Sequence, residues 1–193
     1  MSPALPSADT QQQLPLPSHG DGDGNVADVE ILSTTDSSSF RCYHPVDTEW
    51  QQRTCGDLKL RYCGPNGVTP GEPQVPLTTP LTRRYVKGDG NCLFRSLSYI
   101  ITGSETQHMA VRQAIVRHMR SIGHFLMEQV DREYTSIEDY IVSHRMDQNC
   151  SWGTEVEIFA TAHLLNLPIF SYDVSTRSWW RYSPHNVDTA LPE

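Results

Sequence analysis

A ten-residue segment combines a cysteine with a glycine-rich turn, a pattern that predicts a nucleophile. Residues 88–97 read Gly-Asp-Gly-Asn-Cys-Leu-Phe-Arg-Ser-Leu, and the apolar residues after Cys92 recur at helical spacing. A helix is therefore predicted to begin at Cys92. Unpaired N–H groups and the helix dipole favour negative charge at such a position, and the thiolate is the reactive form of cysteine. An isolated cysteine after a turn is more often a small core residue, but the whole segment favours a nucleophile.

The turn before Cys92 also predicts a site for a negatively charged intermediate. Gly88 and Gly90 allow the backbone to lie close to a substrate carbonyl. Backbone N–H groups between Asp89 and Cys92 can then stabilise the oxyanion of a tetrahedral intermediate. Such chemistry also requires a base, usually histidine, which takes the thiol proton and returns it to the leaving amine.

The surrounding sequence predicts several helices followed by a hairpin. Apolar spacing and capping residues predict four helices: one from Cys92 to Gly103, one through Val111, Ile115 and Met119, one from about Ser136, and one from a Thr154–Glu157 capping box to Pro168. Strands are predicted at 85–87, 169–172 and 179–182, and the last two form a hairpin. This order indicates an α+β domain with helices packed around a small sheet.

Two blocks of the sequence resemble the ovarian-tumour (OTU) family of cysteine proteases. Residues 89–96 resemble the family's nucleophile motif, Asp-Gly-Asn-Cys-Leu-Phe-Arg-Ser. Residues 152–160, Trp-Gly-Thr-Glu-Val-Glu-Ile-Phe-Ala, are similar to the block that opens a long helix beside the family's active site. The second block departs at Thr154, where the family usually has a second glycine, although threonine is a favourable N-cap. With a weaker likeness in the hairpin, the resemblance covers about 82–184.

The resemblance implies a papain-like α+β fold and a deubiquitinase activity. By resemblance, Cys92 is the nucleophile, and Asp89 is the acidic residue three positions earlier that shapes the oxyanion site. Gly90 and Asn91 supply the backbone of that loop. The implied substrate is ubiquitin, or a polyubiquitin chain, joined through an isopeptide or peptide bond, with no cofactor. A protease of another ubiquitin-like modifier is a weaker alternative.

The family's catalytic histidine lacks a clear counterpart in this sequence. In the family it follows one more strand after the hairpin, whereas the sequence here ends at Glu193. Three interpretations follow: the chain is a fragment that lacks the histidine, His185 acts as the base with Asn186 or Asp188, or the domain is an inactive ubiquitin-binding module. We favour the first, because the sheet also lacks its last strands, and we expect little ubiquitin hydrolysis by this chain. A histidine near a terminus usually lies in an exposed loop.

The residues before the domain, which is placed at 82–193, divide into two segments. Residues 1–39 are rich in Ser, Pro, Gln, Gly and Asp, and this composition predicts a disordered tail. Residues 40–81 carry aromatic residues and then repeated prolines, which predicts a docking arm, a half-buried strand at 58–62 and a linker. The potential ligands of this arm lack the closely spaced pairs of zinc sites, so no metal is predicted: they are Cys42, His44, Cys55 and Cys63.

Composition argues against several classes of protein. The 193 residues have room for one core domain with flanking segments. A formal net charge of −8 and a pI of about 5.4 disfavour binding to nucleic acid. We find no run of about 18 apolar residues and no signal peptide, so we expect a cytoplasmic protein, with the nucleus also accessible, that does not bind membranes. Its cysteines are then free thiols rather than disulfides, and Cys150, which has no assignable base, is interpreted as structural.

Overall fold

The structure, a computed structural model, describes residues 29–31, 42–66, 75–80 and 83–184. Its helices are α1 (Thr48–Leu58), α2 (Cys92–Thr102), α3 (His108–Ser121), α4 (Gly123–Leu126), α5 (Ile137–Ser143) and α6 (Glu155–Leu165). Its strands are β1 (Val29–Ile31), β2 (Cys42–Tyr43), β3 (Val75–Pro76), β4 (Ile169–Asp173) and β5 (Ser178–Tyr182). A short 3-10 turn, Glu105–Gln107, joins α2 to α3. In these described ranges, no helix has the length and apolar character needed to cross a bilayer.

The core lies among α2, α3 and α6, each of which turns apolar side chains inward. The core residues of α2 and α3 that are at most 4% exposed include Leu93, Phe94, Leu97, Ile101, Val111, Ile115 and Met119. Burying each side chain of this kind stabilises the fold by about 1.5–3 kcal/mol. Helix α2 is therefore anchored along its length, and its first residue, Cys92, is held in one place.

The predicted hairpin and the α+β class are confirmed. Strands β4 and β5 pair antiparallel, with Ile169 opposite Tyr182 and Asp173 opposite Ser178. The Asp173 carboxylate closes the turn by accepting from the Ser175 N–H at 2.8 Å. Strand β1 pairs with the other edge of β4, and the resulting sheet has the order β1-β4-β5.

Local signals at the helix ends are also confirmed. Helix α2 begins at Cys92 and ends at Gly103, which has a φ of 77° that favours glycine. Ser136 caps α5 by accepting from the Asp139 N–H. Thr154 and Glu157 form a complete capping box at the start of α6, as the sequence predicted. These motifs depend on contacts within a few residues, so they can be recognised from sequence.

Two predicted strands are wrong. Residues 85–87 form no strand, because no other segment of the described residues pairs with them. The alternation at 58–62 is not a strand either, because Leu58 ends α1 and Lys59 follows in the left-handed conformation, with φ 56°. Asp47 starts that helix by accepting from the Trp50 N–H at 2.8 Å. This N-cap allows a helix to form in the segment for which the sequence pattern predicts an arm with a strand.

Helix α1 packs against α2 through polar contacts as well as apolar ones. The Gln51 amide donates to the Ile100 carbonyl at 2.6 Å, and the Cys55 thiol donates to the Ile101 carbonyl at 3.4 Å. Beyond the helix, the Cys63 N–H donates to the Thr102 carbonyl at 2.8 Å. The segment before the protease-like region therefore forms part of the domain's surface.

One short strand lies within residues 1–39, the segment that the composition predicts to be a disordered tail. Strand β1 lies within it and pairs with β4 through Val29 opposite Ser171 and Ile31 opposite Ile169. A short apolar stretch can join a sheet edge even inside a polar segment, because the ladder supplies its backbone hydrogen bonds. The other residues of the tail lie outside the described ranges, and for them disorder stays a prediction.

Candidate active site

The thiol of Cys92 is half-buried at the first position of α2. The residue before it, Asn91, occupies the N-cap position, but its side chain does not cap the helix. That side chain instead points into the protein, where Asn91 is only 1% exposed. The N–H groups at the start of α2 are thus left without a side-chain cap, so backbone donors lie unpaired at the end of the helix that carries the thiol.

Asp89 shapes the turn through an ion pair and a backbone contact. Its carboxylate lies 2.7 Å from Nη2 and 3.3 Å from Nε of Arg95, one turn into α2. The same carboxylate accepts from the Asn91 N–H at 3.1 Å. The Arg95 guanidinium beside Asp89 holds the pKa of that carboxyl well below its usual range, and the contacts from Asn91 act in the same direction. Asp89 is therefore an ionised acceptor that folds the turn.

The hydrogen bonds of the turn decide which N–H groups can face a substrate. The Asp89 N–H is bound to the Lys87 carbonyl at 3.0 Å, and the Asn91 N–H is bound to Asp89. Within the described residues, the N–H groups of Gly90 and Cys92 make no hydrogen bond. Of the backbone donors between Asp89 and Cys92, these two N–H groups are the ones that the described residues leave unused.

A second segment, residues 146–153, packs on residues 88–92, the turn that leads into Cys92 and is called the nucleophile turn. The Asn91 amide oxygen accepts from the Cys150 N–H at 3.0 Å, and its nitrogen lies 3.8 Å from the Cys150 sulfur. Gly90 has a φ of 79°, and a Cβ at that position would overlap the carbonyl of Cys150. Cys150 itself has a φ of 64°, which is uncommon for a residue with a side chain. Local sequence patterns do not predict this packing, because Asn91 and Cys150 are 59 positions apart in the chain.

Arg112, which underlies this arrangement, is not among the candidate site residues predicted from the sequence. Its side chain is 0% exposed and reaches both the nucleophile turn and residues 146–151. A signal was present, because Arg112 follows the spacing of Ile115 and Met119 on the buried face of α3. A charged residue within an apolar stripe indicates a buried polar contact.

Among the described residues, no histidine forms a hydrogen bond with Cys92. His108 lies 3.4 Å from Arg95 and 3.0 Å from the Glu105 carbonyl. His118 and His163 pair with each other at 2.9 Å, and burial lowers the pKa of His118. His144 lies 3.1 Å from the Tyr140 carbonyl. His185, the base considered from the sequence, lies outside the described residues.

Metal ligands do not gather anywhere in the part of the chain that is described. No three His, Cys, Asp or Glu side chains there lie close enough together to bind one ion. Of the cysteines considered from the sequence, Cys55 is buried against α2 and Cys63 is exposed. Burial raises the pKa of the Cys55 thiol.

An α+β scaffold with a thiol at a helix N-terminus, behind a turn with unused N–H groups, has the architecture of cysteine-type hydrolases. Comparison with known proteins leads to a narrower class. A family model described as OTU-like cysteine protease matches residues 87–187. Because this match covers just over half of the 193 residues, the chain belongs to the OTU-like cysteine protease family.

Individual relatives are similar over the same part of the chain. Ubiquitin thioesterase otu2 of Schizosaccharomyces pombe is 26% identical over 95 residues, which are 46% of this chain and 31% of that protein. Deubiquitinating enzyme 9 with an ovarian tumor domain, from Arabidopsis thaliana, is 32% identical over 90 residues, 47% of this chain and 25% of its own. OTU domain-containing protein 5 of Homo sapiens is 26% identical over 93 residues, which are 48% of this chain and 15% of that protein. This chain therefore matches less than a third of each relative, and no solved structure matches it.

Proposed function

We propose that the protein hydrolyses isopeptide bonds between ubiquitin and other proteins, with Cys92 as the nucleophile. The observation that carries this proposal is the position of Cys92 at the uncapped start of α2, beside two unused N–H groups. Membership of the OTU-like family and relatives named as a ubiquitin thioesterase and a deubiquitinating enzyme support the substrate class. The proposed partners are accordingly ubiquitin and polyubiquitin chains.

The proposed reaction passes through a thioester. The Cys92 thiolate attacks the carbonyl carbon at the end of ubiquitin, and the N–H groups of Gly90 and Cys92 bind the resulting oxyanion. The tetrahedral intermediate collapses as the lysine amine takes a proton and leaves. Water then hydrolyses the thioester, which releases ubiquitin and regenerates the thiol.

Asp89 has a positioning role in this proposal and transfers no proton. Its carboxylate is held ionised by Arg95 and is already bound to the Asn91 N–H. A carboxylate in that state is a poor proton donor at neutral pH. Its contribution is to hold the turn in the form that leaves the Gly90 and Cys92 donors free.

The identity of the general base separates two candidate functions, a hydrolase and an inactive binding module. His185 is the candidate within the sequence, and four of the described histidines, His108, His118, His144 and His163, bond to other groups. An inactive module that binds ubiquitin is the second candidate function, and the hydrogen bonds of the described histidines include none to Cys92. Loss of a positioned acid and base lowers such rates by about 10²–10⁴-fold.

The test uses ubiquitin carrying a fluorogenic amide at its C-terminus. Turnover by the full chain, even at the low rate that the sequence leads us to expect, supports the proposal if Cys92→Ala abolishes it and Cys63→Ala, the matched loss of an exposed thiol, retains it. His185→Ala reports on the base, since a loss of about 10²-fold or more assigns it to His185. Saturable ubiquitin binding with no turnover by the full chain would instead establish the binding module.

A further inference from the structure

The guanidinium of Arg112 forms several hydrogen bonds with the groups around the nucleophile turn, although no step of the proposed reaction uses it. Its Nη2 donates to the Gly90 carbonyl at 3.1 Å and to the Asn91 amide oxygen at 3.0 Å. The same nitrogen lies 2.6 Å from the Ser151 carbonyl, and Nη1 lies 3.0 Å from the Met146 carbonyl. One guanidinium thus joins α3 to both segments that form the site.

The environment of this guanidinium is unusual for a charged group. The side chain is 0% exposed, and its carbon lies 3.8 Å from the centre of the Phe94 ring. All of its hydrogen-bond acceptors are neutral, and among the described residues no carboxylate forms an ion pair with it. A planar fork of donors held in this way fixes the groups around it more strictly than a flexible lysine does.

The peptide between Gly90 and Asn91 is held at both of its edges. Its carbonyl is bound by Arg112 at 3.1 Å, and its N–H is bound by Asp89 at 3.1 Å. A peptide unit is planar, so fixing both edges fixes its rotation. The N–H groups of Gly90 and Cys92, which make no hydrogen bond in the described residues, belong to the peptides on either side. The backbone angles of Gly90 (φ 79°) and Asn91 (φ −111°) set their directions relative to the fixed plane.

We propose that Arg112 is a positioning residue for the oxyanion site, acting by holding the Gly90–Asn91 peptide from inside the protein. It does not touch the substrate, because it is 0% exposed. The proposal deepens the function proposed above, since it assigns the same two donors. It also makes a prediction that requires no ubiquitin.

Two small reagents separate oxyanion stabilisation from the other properties of the thiol. p-Nitrophenyl acetate acetylates Cys92: the thiolate attacks the carbonyl, an oxyanion forms, and nitrophenolate leaves without needing a proton. Iodoacetamide alkylates the same sulfur by displacing iodide, and no oxyanion forms. The ratio of the two rates at Cys92, measured by mass spectrometry, therefore reports the oxyanion site whether or not the chain cleaves ubiquitin.

Arg112→Lys should lower the acetylation rate of Cys92 by at least about 10-fold, since removing one oxyanion donor costs about 10²–10³-fold. The alkylation rate should change less than about 2-fold, because it involves no oxyanion. Arg112→Gln should behave in the same way. Arg120→Lys is the matched control on α3, where the arginine bonds to Glu138 on the surface, and should alter neither rate.

A proportional fall of both rates in the Arg112 variants would show a merely structural role and overturn the proposal, as would two unchanged rates. Circular dichroism establishes that each variant is folded at the temperature of the assay. If neither Arg112 variant folds, Asp89→Ala releases the other edge of the same peptide, and an unchanged ratio there overturns the proposal. Failure of the ubiquitin assay alone would remove the proposed substrate and leave this result intact.

Discussion

Gly90 is the residue at which the nucleophile turn is least able to accept a side chain. Its φ of 79° lies in the region that favours glycine, and its missing Cβ leaves room for the carbonyl of Cys150. The close approach of these two backbones brings residues 146–153 onto the turn. At the scale of single residues, the site depends as much on an absent side chain as on the thiol.

Gly90→Ala should therefore destabilise the protein and disable the site. We expect a loss of about 1–3 kcal/mol in the free energy of unfolding from the strained backbone, and slower acetylation of Cys92 by p-nitrophenyl acetate. The measurements are thermal unfolding and the labelling rate. Gly88→Ala is the matched control, because a Cβ there meets nothing within 4 Å. Equal behaviour of the two variants would contradict the role assigned to Gly90.

Helix α6 shows how one element combines a local motif with a buried charge. Its capping box is formed by Thr154 and Glu157, and the Thr154 N–H donates to the Glu157 carboxylate at 2.7 Å. Glu157 is also 0% exposed, and one of its oxygens has no hydrogen-bond partner among the described residues. Burial raises the pKa of Glu157, while its bonds to Thr154 and Tyr140 act against that shift.

The stability of the protein should therefore fall relative to Glu157→Gln as the pH rises. Below the pKa of the unfolded glutamate, about 4.3, both states carry the proton and burial adds no charge penalty. As the pH rises towards the higher folded pKa, the unfolded chain releases its proton first, and wild-type stability is lost. Glutamine keeps the acceptor and cannot ionise.

The measurement is the difference in melting temperature between wild type and Glu157→Gln at pH 5 and pH 8. We expect the melting temperature of Glu157→Gln to rise relative to that of the wild type from pH 5 to pH 8. Glu155→Gln is the control for loss of a carboxylate from the same first turn, and because this side chain is exposed its difference from wild type should change less than that of Glu157→Gln. A Glu157→Gln difference that does not change with pH would contradict the prediction.

At the scale of the molecule, the segment that contains α1 belongs to the folded unit. Its contacts to α2 include Gln51 with Ile100 at 2.6 Å and Cys63 with Thr102 at 2.8 Å. The Arg61 N–H also donates to the side-chain oxygen of Gln107 at 2.8 Å. The surface of α2 that faces α1 is thereby covered.

Limited proteolysis should distinguish this segment from the polar tail. A nonspecific protease should cut within residues 1–28 first, as their composition predicts, while residues 48–63 resist together with 83–184 because they are packed against α2. Mass spectrometry of timed samples gives the order of cleavage. Gln51→Ala should speed cleavage in 48–63 alone. Loss of 48–63 as fast as 1–28 would contradict this division.

Much of the local structure could be predicted from the sequence, because its causes lie within a few residues. The start of α2 at Cys92, its end at Gly103 and the Thr154 capping box each depend on neighbours in the chain. The hairpin at 169–182 has the same origin, since two apolar strands flank a turn closed by Asp173. The family resemblance of the segment around Cys92 was confirmed by the match to residues 87–187.

The tertiary structure decided what lies around these elements. The residues at 58–62 alternate like a strand, yet Asp47 caps a helix that ends at Leu58 and packs on α2. The contacts of Arg112 and Cys150 could not be predicted either, because they join residues far apart in the chain. Arg112 lies 22 positions after Gly90, and Cys150 lies 59 positions after Asn91 and 60 after Gly90. Periodicity and capping report local energies, whereas a buried guanidinium holding a peptide plane depends on segments that only folding brings together.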